Sequence, residues 1–292
     1  MNKLAVIGNC QASPLASALG ALPGIAVAQA VPLHLAQTPA FKQIETELES
    51  VLADPEAVVF TFNVSDHHGR FSTQALRQRR DRVVTITNLH FSGLHPDVTY
   101  LGSMGSRLHS PMGDYHSRIV LDAFLAGCTT AECAARFNGR VYAESGYFDA
   151  YAEAEQTLLA RDEGLDVKFA AQFLAMVPEV PTLYTMNHPT AVVIQAFAAR
   201  LAAHLGRELP IFPVHYLRNH LGEGAWWPVY GEIAEAAGLK YRTPMVFQQP
   251  RPRGGKLLTL PEMIERSYAA YERYGERLKR FWPAPGARAS VA

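Results

Sequence analysis

The chain has 292 residues, 48% of them hydrophobic, enough to bury a sizeable core in one large domain or two modest ones. Lys plus Arg and Asp plus Glu balance at 27 each, so no overall basic field is present and nucleic acid is excluded as a main partner. No apolar run approaches the roughly 20 residues of a membrane span, and three cysteines are too few for a disulfide framework, which points to a reducing cytoplasm.

The first stretch, Leu4-Ala5-Val6-Ile7-Gly8-Asn9-Cys10-Gln11, reads as a buried strand that stops abruptly at a glycine, a small amide and a thiol. Lys3 before this apolar stretch imitates a secretion signal, but Gly8 to Gln11 and Pro14 interrupt it, so it reads as mature protein. A helix over Ala12–Leu19 follows, then a strand at Ile25–Ala28, a helix over Thr38–Leu52 and a strand at Ala57–Phe60. A basic helix, Thr73–Arg80, leads to a fourth strand, Arg82–Thr87. Strands alternating with helices at this interval predict a parallel sheet with helices on both faces. Its strand exits at Cys10, Asn63 and Asn88 then gather on one edge, where ligands bind in open α/β sheets.

Between Leu89 and Pro111 the pattern lapses into a long loop rich in Gly, Pro and His. Helices are expected beyond it over Tyr115–Leu125, Glu132–Phe137, Ala150–Leu159, Val167–Met176, Thr190–Leu205, Tyr230–Ala237 and Pro261–Phe281, with a frayed tail from Arg288. The extended segment Pro181–Met186 delivers Asn187-His188-Pro189 to a helix start. The expected division is 1–110 for the sheet part and 111–292 for a mainly helical part that completes a ligand cleft.

Cys10 at a strand-to-helix corner has an electrostatic reason to be a thiolate, since a helix N-terminus lowers a thiol's pKa. Asn9 and Gln11 flank it as amides able to donate to an oxyanion or a bound carbonyl. A nucleophilic thiol needs a base, which can be distant in sequence. His188, His95 in His95-Pro96-Asp97, and His116 in Tyr115-His116-Ser117-Arg118 are the candidates, with Ser117 and Arg118 as phosphate partners. Asp66-His67-His68 lacks a partner at ligand spacing, so no metal is expected. Cys128 and Cys133 read as small core residues, the arginines between Arg77 and Arg82 as a solvated face, and Trp226-Trp227 as packing rather than a sugar platform. The run from Arg251 to Lys256 could grip an anion, although basic loops are common.

Gly8-Asn9-Cys10-Gln11, His95-Pro96-Asp97 with Tyr100 and Gly102, Tyr115-His116-Ser117, Phe148-Asp149 and Asn187-His188-Pro189 follow in an order that resembles the WcbI-type polysaccharide-biosynthesis acetyltransferase family, over roughly Leu4 to Leu205. The resemblance implies a bacterial cytoplasmic protein of capsular or other surface polysaccharide production that binds coenzyme A. It implies an α/β fold whose N-terminal open parallel sheet, Rossmann-like or SGNH-like, is embedded in a larger mainly helical C-terminal part. By the same resemblance the site thiol is Cys10, its neighbours are Asn9 and Gln11, and the base is among His95, His116 and His188. A more distant likeness is to SGNH-type esterases, which carry serine where Cys10 stands. Their acid three residues before the histidine is replaced here by Thr185.

The expected function is acetyl-CoA-dependent O-acetylation of a sugar of a surface polysaccharide or its precursor. Cys10 is then a covalent nucleophile or a lining of the thioester site, and association with polysaccharide-assembly enzymes is expected. The alternatives are an esterase or thioesterase, and a non-catalytic module binding CoA or a nucleotide-sugar.

Overall fold

The computed structural model describes residues 2–282 apart from 104, 212 and 214–218, so the tail expected from Arg288 lies outside the described residues. Four parallel strands, β1 (Lys3–Gly8), β2 (Val27–Pro32), β3 (Val58–Thr61) and β4 (Val83–Thr85), form one sheet in the order β2-β1-β3-β4. The chain crosses from β1 outward to β2, then returns past β1 to β3, so the order reverses between β1 and β3. Ligands bind outside the carboxyl ends of the strands at such a switch point, and here those ends are Gly8 and Thr61.

The two faces follow from the period-two alternation of buried strands. Leu4, Val6, Val58 and Phe60 pack with Leu15 and Leu19 of α1 (Ala12–Leu19) in one core cluster. Ala5, Ile7 and Val59 pack with Phe41, Leu48 and Val51 of α2 (Phe41–Leu52) and Leu76 of α3 (Thr73–Arg79) in the other. Gly8, the last residue of β1, has no room for a side chain because the Phe62 ring lies against it: a Cβ there would sit 2.1 Å from Phe62 Cδ2. At the matching end of β3, Asn63 adopts φ 50°, a left-handed conformation that asparagine tolerates.

The first cluster runs on from β1 to Trp282 and takes in most of the later chain. The long loop is partly strand: β5 (Val98–Tyr100) pairs antiparallel with β6 (Tyr115–Ser117), so the helix expected from Tyr115 begins at Arg118 instead, as α4 (Arg118–Leu125). The cause is Ser117, which is extended and caps α4 by accepting from Val120 N at 3.1 Å. Next come α5 (Thr130–Ala134), α6 (Gly139–Glu144), α7 (Ala150–Asp162) and α8 (Ala170–Met176). β7 (Leu183–Thr185) folds back on β8 (His188–Pro189), and α9 (Ala191–His204) packs on α1. After α10 (Gly231–Ala236), an unforeseen hairpin of β9 (Val246–Gln248) and β10 (Leu257–Thr259) holds the basic loop between its strands. The expected last helix is two, α11 (Leu260–Tyr274) and α12 (Glu276–Phe281), broken at Gly275 with φ 49°.

Candidate functional site

The β1 corner is bolted to two distant segments. The fully buried Gln11 side chain donates from Nε2 to Leu89 O at 2.6 Å and to Asn187 O at 3.0 Å, while Asn9 Oδ1 accepts from Gln11 N at 2.9 Å. Asn9 Nδ2 donates to Asn88 Oδ1 at 2.8 Å, which ties the exit of β1 to the exit of β4. Gln11 is therefore a brace behind the site, and Asn9 is part of its wall.

Cys10, Asn9, Asn187 and His188 line one cavity of about 630 Å³, with Tyr100, Arg107, Asp114 and Tyr115 contributed by the β5–β6 arm and its connecting loop. Cys10 is half-buried and lies two positions before α1, directly ahead of its N-cap Gln11. The expected depression of its pKa is not what the fold produces. Burial pushes the thiol up to about 11, outweighing the backbone N–H groups of Cys10 and Gln11 that bond it. Desolvation disfavours the thiolate more than two backbone dipoles favour it.

His188 is held from one side. Tyr115 Oη donates to Asn187 Oδ1 at 2.8 Å and lies 3.2 Å from His188 Nε2. With the phenol proton engaged, Nε2–H is the donor and Nδ1 carries the lone pair. Nδ1 is buried and has no hydrogen-bond partner among the described residues. Gly224 packs closely against this edge of the ring, where a Cβ on it would sit 3.3 Å from Nδ1. Burial, with the neighbouring His220 and His34 adding repulsion, lowers the imidazole to about 4, so it is neutral at physiological pH. Tyr115 and Asn187 thus occupy the orienting position that a carboxylate fills in a triad.

The other expected site residues are placed elsewhere. His95 is 2% exposed, bonds Trp227 O through Nε2 at 3.0 Å, and lies outside the cavity lining. His116 is buried between Tyr271 Oη at 3.1 Å and Leu108 O at 3.0 Å. Burial lowers both imidazoles to about 4. Ser117 is the cap of α4, and Arg118 sits over the Trp282 ring, in a separate groove that shares Tyr100 with the Cys10 cavity. Asp97 is fully buried and accepts from Ile119 N at 2.9 Å, Tyr147 Oη at 3.0 Å and Tyr230 Oη at 2.6 Å. Its loop is a structural staple, and the fold does not bring it to Cys10.

Residue patterns missed Arg107 and Asp114, which pair at 3.1 Å, with the Arg107 guanidinium 3.8 Å above the Tyr100 ring. The place of Arg107 in the Gly- and His-rich loop, with Asp114 just past its end, was the available signal. Trp227 is core, donating to Tyr230 Oη at 3.0 Å, whereas Trp226 is 42% exposed and stacks on Tyr184. Among the described residues, no group of three or more His, Cys, Asp or Glu is placed to hold a metal ion, and no helix is long and apolar enough to cross a membrane.

The family described as polysaccharide biosynthesis enzyme WcbI matches residues 3–210. The chain belongs to the WcbI family. A solved structure of WcbI, described as a novel polysaccharide biosynthesis enzyme, superposes with a TM-score of 0.65 at 19% identity, covering 96% of this chain and 95% of that one. That structure is described as the native protein without a disulfide bond between coenzyme A and one of its cysteines. No curated protein matches. The WcbI match ends in the stretch just after α9, so it spans the sheet, Cys10 and the His188 hairpin, while Gly224 and the β9–β10 hairpin lie beyond it.

Proposed function

We propose that this WcbI-family chain transfers an acetyl group from acetyl-CoA to a sugar hydroxyl of a surface polysaccharide or its precursor, with His188 as general base. The observation that carries this reading is the pairing, on one cavity wall, of a partly exposed thiol with a neutral imidazole whose Nδ1 is unpartnered. The sugar oxygen attacks the thioester carbonyl carbon and its proton passes to His188 Nδ1. The C–S bond then breaks, and the CoA thiolate takes the proton back. Tyr115 and Asn187 fix the tautomer, which is their contribution to the step.

Cys10 lines the thioester site in this reading. A thiol pushed up to about 11 is almost wholly protonated at neutral pH, which disfavours it as the attacking group. Coenzyme A as donor is supported by the cysteine and coenzyme A named for the structurally similar WcbI, since Cys10 is the cysteine on this cavity wall. The reaction belongs in the cytoplasm, alongside the enzymes that assemble the polysaccharide.

The test is acetyl transfer from radiolabelled acetyl-CoA to a panel of sugar acceptors, with mass spectrometry of the protein. Acetylated sugar with no acetyl on Cys10 is expected. A covalent acetyl on Cys10 that chases into product establishes the acyl-enzyme route instead. Hydrolysis without an acceptor establishes a thioesterase, and CoA binding without either product a binding module.

A further inference from the structure

A second cavity, of about 670 Å³, opens beside the first and shares His109 with it. Arg253 reaches it from the loop between β9 and β10, and Arg266 and Arg273 from one face of α11, seven residues apart, with Ala269 and Ala270 between them. Among the described residues, no carboxylate lines it. The three guanidinium groups are exposed and, among the described residues, none of them enters an ion pair. Glu262, one turn before Arg266, is the acid that feels it, and that carboxylate is committed to capping α11 through Thr259 N and Oγ1 at 2.8 Å.

Other surface arginines of the chain do meet acids. Arg77 pairs with Asp166, Arg79 with Glu49, Arg82 with Glu56 and Arg251 with Glu223. Three cations around one hollow with no acid among its lining residues favour an anionic occupant. A further group points to a ligand. Gln249 is 5% exposed on the same wall, and its Oε1 is buried with no partner, so it can accept from a hydroxyl.

We infer that the groove between the β9–β10 loop and α11 is a diphosphate subsite, which holds the phosphates of a hydroxyl-bearing substrate whose other end reaches the Cys10 cavity. Forked guanidinium donors match phosphate oxygens, and three Arg from two facing elements suit a diphosphate better than a single charge. Two substrates of the transferase carry such a group: the CoA donor, and a sugar acceptor linked through a diphosphate. The identity of the substrate rests on the transferase reading; the phosphate binding does not.

The experiment is calorimetric titration of the full chain with inorganic pyrophosphate, comparing wild type with Arg266→Gln/Arg273→Gln. Losing two charge-assisted contacts weakens binding by about tenfold or more. Arg79→Gln/Arg82→Gln removes equal charge from an ion-paired surface and leaves affinity unchanged. Equal affinity in all three proteins, or no binding to wild type, overturns the subsite. Titrations with CoA, 3′-dephospho-CoA and a uridine diphosphate hexose then show whose affinity falls in the Arg266/Arg273 variant, which selects donor or acceptor. If pyrophosphate binding behaves as expected and no acetyl transfer is found, the subsite stands and the transferase reading falls.

Discussion

His95 and His188 both precede a proline, both leave a buried Nδ1 unpartnered, and burial lowers both to about 4. They differ in what surrounds them. His95 is sealed in the core against Trp227, whereas His188 lines the cavity that also holds Cys10. A buried histidine is a candidate for chemistry when it lines a cavity that a substrate can fill; the residue, its turn and its pKa do not decide the matter.

The sharpest break of this comparison is kinetic. His188→Ala should lower kcat by about 10²–10⁴-fold, while its CoA affinity stays close to wild type; His95→Ala should instead lower the melting temperature and leave kcat per folded molecule unchanged. If the two variants exchange these phenotypes, the assignment of roles is reversed.

Asp97→Ala extends the structural side. It strips the acceptor from two buried tyrosine hydroxyls and the Ile119 N–H, and should cost about 3–5 kcal/mol in urea unfolding, the range for breaking a buried charged network. Asp97→Asn keeps an acceptor and should lose less.

Acid sharpens the same contrast. His95, His116 and His188 are each held near 4 against an ordinary 6.5, so each favours the folded state in its neutral form. That stability is complete above 6.5 and is lost as pH falls toward about 4, by roughly 3 kcal/mol per histidine. Urea midpoints should therefore fall steeply across this window, less so in His188→Ala. The acid limb of the activity profile should lie near 4 rather than 6.5.

The smallest expected effect is at Cys10. Cys10→Ala should retain transfer within about tenfold, because no proton step passes through the thiol. Alkylation of Cys10 by iodoacetamide should keep accelerating as pH rises toward about 11, read by mass spectrometry, since its thiolate forms only there.

Sequence patterns alone show why these two histidines look alike. The β1 corner was legible because a continuous apolar strand ending at Gly8-Asn9-Cys10 is a local pattern, and the sheet and its two faces follow from the same alternation. The staple at Asp97 was not legible, because its partners Tyr147 and Tyr230 are 50 and 133 residues away and nothing local announces them. The β5–β6 arm escaped for another reason: three residues of strand directly before a helix carry too few alternations to separate from the helix itself. Arg107 and Asp114 were hidden with that arm. The lowered thiol pKa was wrongly expected because helix proximity can be read from sequence, whereas the depth of burial that outweighs it cannot.

The Gln11 brace also sets when the site comes into being. Its bond to Asn187 spans 176 positions, and its bond to Leu89 spans 78, so the β1 corner emerges early in synthesis but acquires its second anchor only after the β7–β8 hairpin has been made. Contacts of such separation form late in folding because loop closure must precede them. Until then Cys10 sits on an open sheet edge as an ordinary surface thiol. Its slow alkylation is therefore a clock for the completed chain: a thiol probe added during refolding reports the moment the cavity closes.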